Sequence, residues 1–192
     1  MRFVNLWSSL AARARRLGQD ARGSVLVELA LAVPVVTGLI IGGVELSRYA
    51  QIHQKMNRLA LQMSDLVTQS DSLRESDFTN IFGAVVHIVD PYNMATDGQV
   101  IISSVSFAAG GTVINWQRNN GGALSVTSQI GNEGGAATLP AGLTLQDGDE
   151  LIISEVFFSF TPILFNQVIP PRQIQHISYM RPRFGTLDHV DP

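Results

Sequence analysis

The sequence contains no cysteine in its 192 residues. A chain without thiols can form no disulfide framework, no zinc–thiolate site, no iron–sulfur cluster and no thiol nucleophile. Charged residues are also scarce, at 15% against about 25% in an average soluble domain, whereas hydrophobic residues reach 45%. This composition excludes a wholly disordered chain and requires a strongly apolar segment.

Sequence motifs of catalysis and ligand binding are missing as well. The chain has no H-E-x-x-H, no G-x-S-x-G and no phosphate-binding loop. The acids of the Asp147–Glu150 turn could in principle attract calcium, but their spacing favours a solvated hairpin turn. No two histidines have ligand spacing on one helix face, so each is expected at a surface or interface (His53, His176, His87, His189). We therefore expect neither an enzyme nor a cofactor or metal site.

Charge is distributed unevenly along the chain. Up to Gly23 there are five arginines and one acid, a net charge of +4, whereas the rest has eight basic and fifteen acidic residues, a net charge of −7. A short basic start is more often an address signal than a nucleic-acid patch. Because the large remainder is acidic, we expect no nucleic-acid partner.

The longest apolar run follows this basic start. Leu29 to Val44 are sixteen residues without a charge, and the segment from Ser24 contains only Glu28 in addition. Twenty-one residues make a helix of about 31 Å, enough to cross the bilayer core. We predict a transmembrane helix over 24–46. The positive-inside rule leaves the N-terminus in the cytoplasm and sends the C-terminal part outward.

Three features inside this helix are unusual. Glu28 is costly in lipid unless it is paired or lies at the headgroup level. Pro34 should kink the helix, since proline removes a backbone donor and clashes one turn back, although membrane helices also tolerate proline. Gly38 and Gly42 have the small-xxx-small spacing that allows close helix contact.

Residues 1–23 form a basic leader. A secretory signal would place its cleavage site after a short apolar run, but here the run is long and no A-x-A site follows it. The leader is also amphipathic and rich in Arg and Ala, so an organellar presequence is a second interpretation.

The order Gly23, Glu28, Pro34 and Glu45 resembles the N-terminus of type IV prepilins and, in particular, of TadE-like proteins of the tight adherence (Tad or Flp) pilus. The resemblance implies cleavage between Gly23 and Ser24 by a prepilin peptidase. It also implies that Glu28 pairs with the freed amine of a neighbouring subunit.

The same resemblance implies partners and a location. The partners would be other pilins and minor pilins, an inner-membrane assembly platform and membrane lipid. The protein would be a single-pass protein of the bacterial inner membrane, able to enter the pilus. We also expect Gly38 and Gly42, from their spacing, and Glu45 to contribute to helix packing.

A helical stripe continues beyond the membrane. Ile52, Met56, Leu59, Met63 and Leu66 recur at spacings of three and four, which predicts an amphipathic extension over 47–70. The stripe can pack against the protein's own domain or against a neighbouring subunit.

Residues 71–192 are expected to form an extracytoplasmic α+β domain. We predict a helix over Ser76–Ile88, capped by Ser76 or Asp77, and a long loop with little regular structure over 119–142. The apolar run Val156–Phe160 is interpreted as a core strand, or as an interface. Alternation and turn signals predict antiparallel strands at Val100–Phe107, Thr112–Arg118, Leu151–Phe160 and Ile174–Met180.

The sequence therefore favours a long N-terminal helix packed on a small antiparallel sheet, as in pilins. Major subunits of the resembled system are much smaller than the 169 residues left after cleavage. The resemblance thus implies a minor pilin or pseudopilin acting in pilus initiation or at the tip. The alternative is an uncleaved, single-span adhesin or ligand-binding protein.

Overall fold

A computed structural model of the chain describes residues 21–108, 110–164, 166 and 170–192. The part of the predicted leader before Ala21 lies outside the described residues. The elements confirm an α+β fold with a long N-terminal helix. They are, in order, α1 (Ala21–Thr68), α2 (Glu75–Val89), α3 (Met94–Asp97), β1 (Gly98–Ala108), β2 (Gly111–Asn119), β3 (Glu150–Phe160) and β4 (Arg172–Met180).

The chain divides into two compact units within α1. The first unit ends at Ser47, and the second runs from Arg48 to Pro192. The described part of the first unit is apolar helix alone. The second unit contains the C-terminal part of α1, the two shorter helices and the sheet.

The C-terminal part of α1 packs on the sheet of its own unit. Ile52, Met56, Leu59 and Met63 are at most 1% exposed and share one core cluster with the sheet. The amphipathic stripe therefore packs on the protein's own domain. One stripe residue was predicted wrongly, because Leu66 is 38% exposed and Val67, one full turn after Met63, is buried instead.

The sheet has the strand order β2-β1-β3-β4, and all neighbouring strands are antiparallel. Every predicted strand is present and extends by one or two residues at one or both ends. The interpretation of Val156–Phe160 as a core strand is confirmed, because its large apolar side chains are buried. Val156 and Phe158 join the cluster under α1, and Phe157 and Phe160 are buried as well.

The second face of the sheet is covered by the loop between β2 and β3. Ile130 and Leu145 of this loop pack with Val105, Ile114 and Ile153 of the strands. The loop has few regular elements, as predicted, but it closes a second core. This explains why β3 is apolar on both faces instead of alternating.

A buried carboxylate anchors this loop. Glu155 on β3 has no exposed surface and accepts hydrogen bonds from the hydroxyl of Ser128 and from the backbone N–H of Gln129 (2.9 Å). Burial raises the pKa of Glu155 above its ordinary value of 4.5, although both hydrogen bonds act in the opposite direction.

A second buried carboxylate holds the C-terminal segment. Glu150 accepts hydrogen bonds from Ser104 Oγ and from the N–H of Leu187, both at 2.9 Å. Trp116 Nε1 donates to the carbonyl oxygen of Leu187 at 2.6 Å. Asp149, the residue before Glu150, forms an ion pair with Arg181 at 2.9 Å. The acids of this turn therefore do not converge on one point.

One local prediction, the start of the second helix, needs correction. α2 begins at Glu75, and Asp77 is not its cap: its carboxylate accepts a hydrogen bond from the N–H of Arg74 (2.9 Å), the residue that precedes the helix. Two of the four histidines meet where α1 packs on the sheet. His53 Nδ1 lies 3.1 Å from His176 Nε2, because α1 packs across β4, and burial together with His53 lowers the pKa of His176.

We predict that Glu155→Gln flattens the pH dependence of stability. A carboxyl whose pKa is raised on folding binds more protons in the folded state, so the free energy of unfolding falls as pH rises from about 4.5 through the raised value. The Gln side chain keeps an acceptor oxygen and cannot ionise. Urea unfolding of the full chain in detergent, followed by tryptophan fluorescence at several pH values, measures this fall.

The exposed residue Asp71 provides the control, and Asp71→Asn should retain the wild-type pH dependence in this window. An unchanged pH dependence in Glu155→Gln would contradict the assignment of the burial cost to this carboxyl.

Candidate functional site: the apolar half of the long helix

The N-terminal half of α1 is long and apolar enough to cross a membrane. Its most apolar window has a mean hydropathy of 2.3, and none of that window is buried inside the protein. Consecutive side chains, such as Val25, Leu26 and Val27, are 61–68% exposed. Because consecutive residues point 100° apart, the helix is apolar on all sides. This is the property of a membrane-spanning or otherwise enclosed helix.

Glu28 lies on this apolar surface with its side chain exposed. Ser24 precedes it by four residues, so the two lie on one face of α1 on consecutive turns. Gly23 is also helical and exposed. The structure therefore brings Ser24 and Glu28 together, about 6 Å apart along the helix axis.

Pro34 lies inside α1, and the helix continues through it to Thr68. Proline has no N–H, so the carbonyl of Ala30 lacks its helical donor at this point. The helix is one uninterrupted element through Pro34. A bend of its axis at this residue stays a prediction.

Gly38 and Gly42 are not required by contacts within the chain. A Cβ added at either position would meet no atom of the described residues within 4 Å. The two glycines lie one turn apart and leave a strip without side chains. Glu45 follows three residues after Gly42 and seven after Gly38, on the same side of α1. Helix packing at this strip stays a prediction.

Sequence reasoning missed a cluster just after the apolar run. The guanidinium of Arg48 lies over the ring of Phe160, 5.7 Å from its centroid. The ring of Tyr49 meets Phe160 edge-on at 5.2 Å, and Tyr92 meets Phe158 at 5.9 Å. Tyr49 was the available signal, because tyrosines are enriched where membrane helices leave the bilayer.

Metal chemistry finds no support in the described part of the chain. Among the residues at 21–108, 110–164, 166 and 170–192, no three His, Asp or Glu side chains are grouped so as to hold an ion. The described part of the first unit has an exposed apolar surface, two carboxylates (Glu28 and Glu45) and the strip at Gly38 and Gly42.

These features define an α+β protein with an apolar N-terminal helix, consistent with a membrane anchor. Residues 23–63 match the model of the family described as TadE-like protein. The match covers Gly23, Glu28, Pro34 and Glu45 and most of the amphipathic stripe, and it confirms the resemblance over this segment. It is consistent with a TadE-like pilin of the Tad pilus. No curated protein and no solved structure matches the chain.

We predict that lysines in the middle of the apolar half prevent membrane integration. Val36→Lys with Ile40→Lys places two cations one turn apart, and each costs about 3 kcal/mol at the centre of a spanning helix. The fraction of protein that floats with membranes after alkaline extraction should fall sharply.

The matched control is Ala50→Lys with Gln54→Lys, which has the same spacing on exposed positions of α1. This control should float like the wild type. Equal loss from both pairs would show that added charge, and not its place in the apolar half, causes the effect.

Proposed function

We propose that this protein is a structural minor pilin or pseudopilin of a bacterial tight adherence pilus. The observation that carries the proposal is Glu28 on an exposed, all-round apolar helix, five residues after Gly23, within the segment that matches TadE-like proteins. In this proposal the chain acts through its helix as a structural component and not as an enzyme.

The proposed sequence of events begins with insertion into the inner membrane. The basic leader stays in the cytoplasm, α1 spans the bilayer and the second unit lies outside. A prepilin peptidase then hydrolyses the Gly23–Ser24 bond. The peptide bond yields a carboxylate on Gly23 and a free amine on Ser24, which is protonated at neutral pH.

This new amine gives Glu28 a partner of opposite charge. In a low-dielectric surrounding an unpaired carboxylate is costly, and removing either partner of a buried pair strongly destabilises it. A neighbouring subunit whose Ser24 amine lies level with Glu28 would satisfy both charges. The axial alignment of neighbouring helices would then be set by this charge pair. Gly38 and Gly42 would allow the two helices to approach closely.

Extraction from the membrane needs other subunits for a physical reason. Large apolar side chains such as Leu31 and Leu39 are 69–71% exposed within the protein, and moving them into water is unfavourable. The helix must therefore pass from lipid to other pilin helices with the help of an assembly platform.

The second unit favours a role at initiation or at the tip. It has two separate cores, one on each face of the sheet, and thus forms a substantial folded domain beyond the helix. Such a domain suits a subunit present in few copies. The alternative function, an uncleaved anchored adhesin or ligand-binding protein, uses the same fold but keeps the leader.

N-terminal sequencing by mass spectrometry tests the proposal directly. Protein from native membranes should begin at Ser24, and this start should disappear in a strain without the prepilin peptidase. Gly23→Val should block processing, whereas Gly43→Val, far from the cleaved bond, should not. An added Cβ meets no atom of the described residues within 4 Å at either position, so a difference between the variants would report on the peptidase and not on packing. An intact leader in both strains would favour the anchored alternative.

Glu28→Gln should separate processing from assembly. The amide has the shape of the carboxylate without its charge, so cleavage should continue while pilus yield falls by at least about tenfold, the effect of roughly 1.4 kcal/mol. Glu28→Asp keeps the charge and should retain part of the yield. Sheared pili quantified against cleaved membrane protein provide the measurement, and an unchanged yield with Gln would remove Glu28 from the docking step.

A further inference from the structure

The contact between α1 and β4 contains a pair of imidazoles, His53 and His176, called the histidine pair below. Both side chains are half-buried, and their rings cross at 82° with centroids 5.2 Å apart. The 3.1 Å between His53 Nδ1 and His176 Nε2 is a hydrogen-bond distance. One of these two nitrogens must therefore carry a hydrogen and the other a lone pair.

The second nitrogen of His53 has no such partner. Its Nε2 is buried, and within the described part of the chain no group forms a hydrogen bond with it. The neutral ring can keep a lone pair at Nε2, whereas the protonated ring carries a hydrogen on both nitrogens. Protonation of His53 therefore creates a buried donor without an acceptor, which costs free energy.

The groups that surround the histidine pair closely carry no charge at neutral or acid pH. On α1, the ring of Tyr49 meets His53 edge-on at 4.5 Å. On β3, Val156 lies opposite His176 in the register of the sheet, and the ring of Phe160 meets Tyr49 at 5.2 Å. These apolar and aromatic neighbours disfavour a charged imidazole, because they cannot replace its hydration.

The charged groups of the same elements lie further away or on the other side of the sheet. Arg48 lies over the ring of Phe160. Glu45 precedes the pair on α1 by eight residues, about 12 Å along the axis, and Arg172 precedes it on β4 by four residues, about 13 Å. Glu155 points to the opposite face of β3, where it binds the loop.

Acid acts on the histidine pair in two steps. A first proton leaves one nitrogen of the contact with a lone pair, so the hydrogen bond survives. A second proton places hydrogens on both facing nitrogens, so that the hydrogen bond is lost and two cations repel each other.

The direction of the pH effect follows from the same contact. Burial and the neighbouring His53 lower the pKa of His176 below its ordinary value of 6.5. Between the lowered value and 6.5 the folded protein therefore binds fewer protons than the unfolded chain. The stability that this histidine contributes is complete above pH 6.5 and is lost as pH falls through this window.

We propose that the histidine pair makes the packing of α1 on β4 sensitive to acid. At neutral pH the hydrogen bond joins the helix to the sheet, and in acid the two protonated rings separate and the helix loosens from β4. The strand β4 lies at the edge of the sheet with β3 as its strand neighbour, so its contact with α1 is open to such a change. The response does not rest on the proposed function, in which the second unit lies outside the cytoplasm and meets the pH of the surroundings.

Hydrogen–deuterium exchange of the full chain in detergent tests the proposal. Protection of the backbone amides at 49–63 is measured at about pH 7.5 and about pH 5.5, on either side of the ordinary histidine value, and corrected for the intrinsic exchange rate at each pH. We expect this protection to fall about threefold to tenfold in acid, the effect of losing one hydrogen bond. Protection of the amides of β1, which does not contact the pair in the sheet register, should change less.

Two variants keep a hydrogen-bonding nitrogen but cannot be protonated. His53→Asn places an amide near the position of Nδ1, and His176→Gln places one near the position of Nε2. Each variant should retain its neutral-pH protection in acid. The control is His87→Gln, which removes an exposed histidine of α2 and should show the same fall as the wild type.

Buried carboxyls also titrate in acid, so each variant is compared with the wild type at the same pH. A wild-type protection at 49–63 that is equal at the two pH values would overturn the proposal. A wild-type fall that persists in both His53→Asn and His176→Gln would assign the acid response to other groups. An equal fall in β1 and in α1 would show general acid unfolding and would likewise contradict a response of this contact.

Discussion

The packing of α1 on the sheet is the contact on which the second unit depends. Met56, Leu59 and Met63 lose all exposure there, and they share their cluster with strand residues such as Ile102 and Ile152. A buried cluster of this kind holds one face of the helix firmly. The same helix, before Ser47, has its aliphatic side chains exposed on every side. One continuous element thus carries two surfaces that need different surroundings, which is consistent with a membrane anchor joined to a folded domain.

Buried carboxylates organise the irregular parts of the second unit. Glu155 holds the loop between β2 and β3 through Ser128 and Gln129, and Glu150 holds the C-terminal segment through Leu187. Burial raises the pKa of both carboxyls, so each costs free energy that its hydrogen bonds only partly offset. Each accepts a hydrogen bond from a backbone N–H of a segment that has no helix or strand of its own to position it.

Local patterns were sufficient to locate the strands and the long helix. Alternation and turn residues located all four strands, and the spacing of Ile52 to Met63 located the buried face of α1. The apolar run could be located without coordinates, because a helix forms its backbone hydrogen bonds within its own segment. The predicted start of the second helix was wrong because the hydrogen bond between Asp77 and Arg74 sets that start. The predicted buried face of α1 was wrong at its end, because Val67 lies one full turn after Met63 and is buried in place of Leu66.

The sequence by itself determined the class of the chain: a basic start, an apolar helix long enough to span a bilayer, and an acidic α+β domain. These features follow from composition and periodicity, which act over one or two turns of chain. Only the tertiary structure decided which distant residues meet. It placed His53 beside His176, closed a second core with the loop at 120–149, and set the guanidinium of Arg48 over the ring of Phe160. Such contacts depend on how α1 and the loops pack on the sheet, and no local pattern encodes that packing.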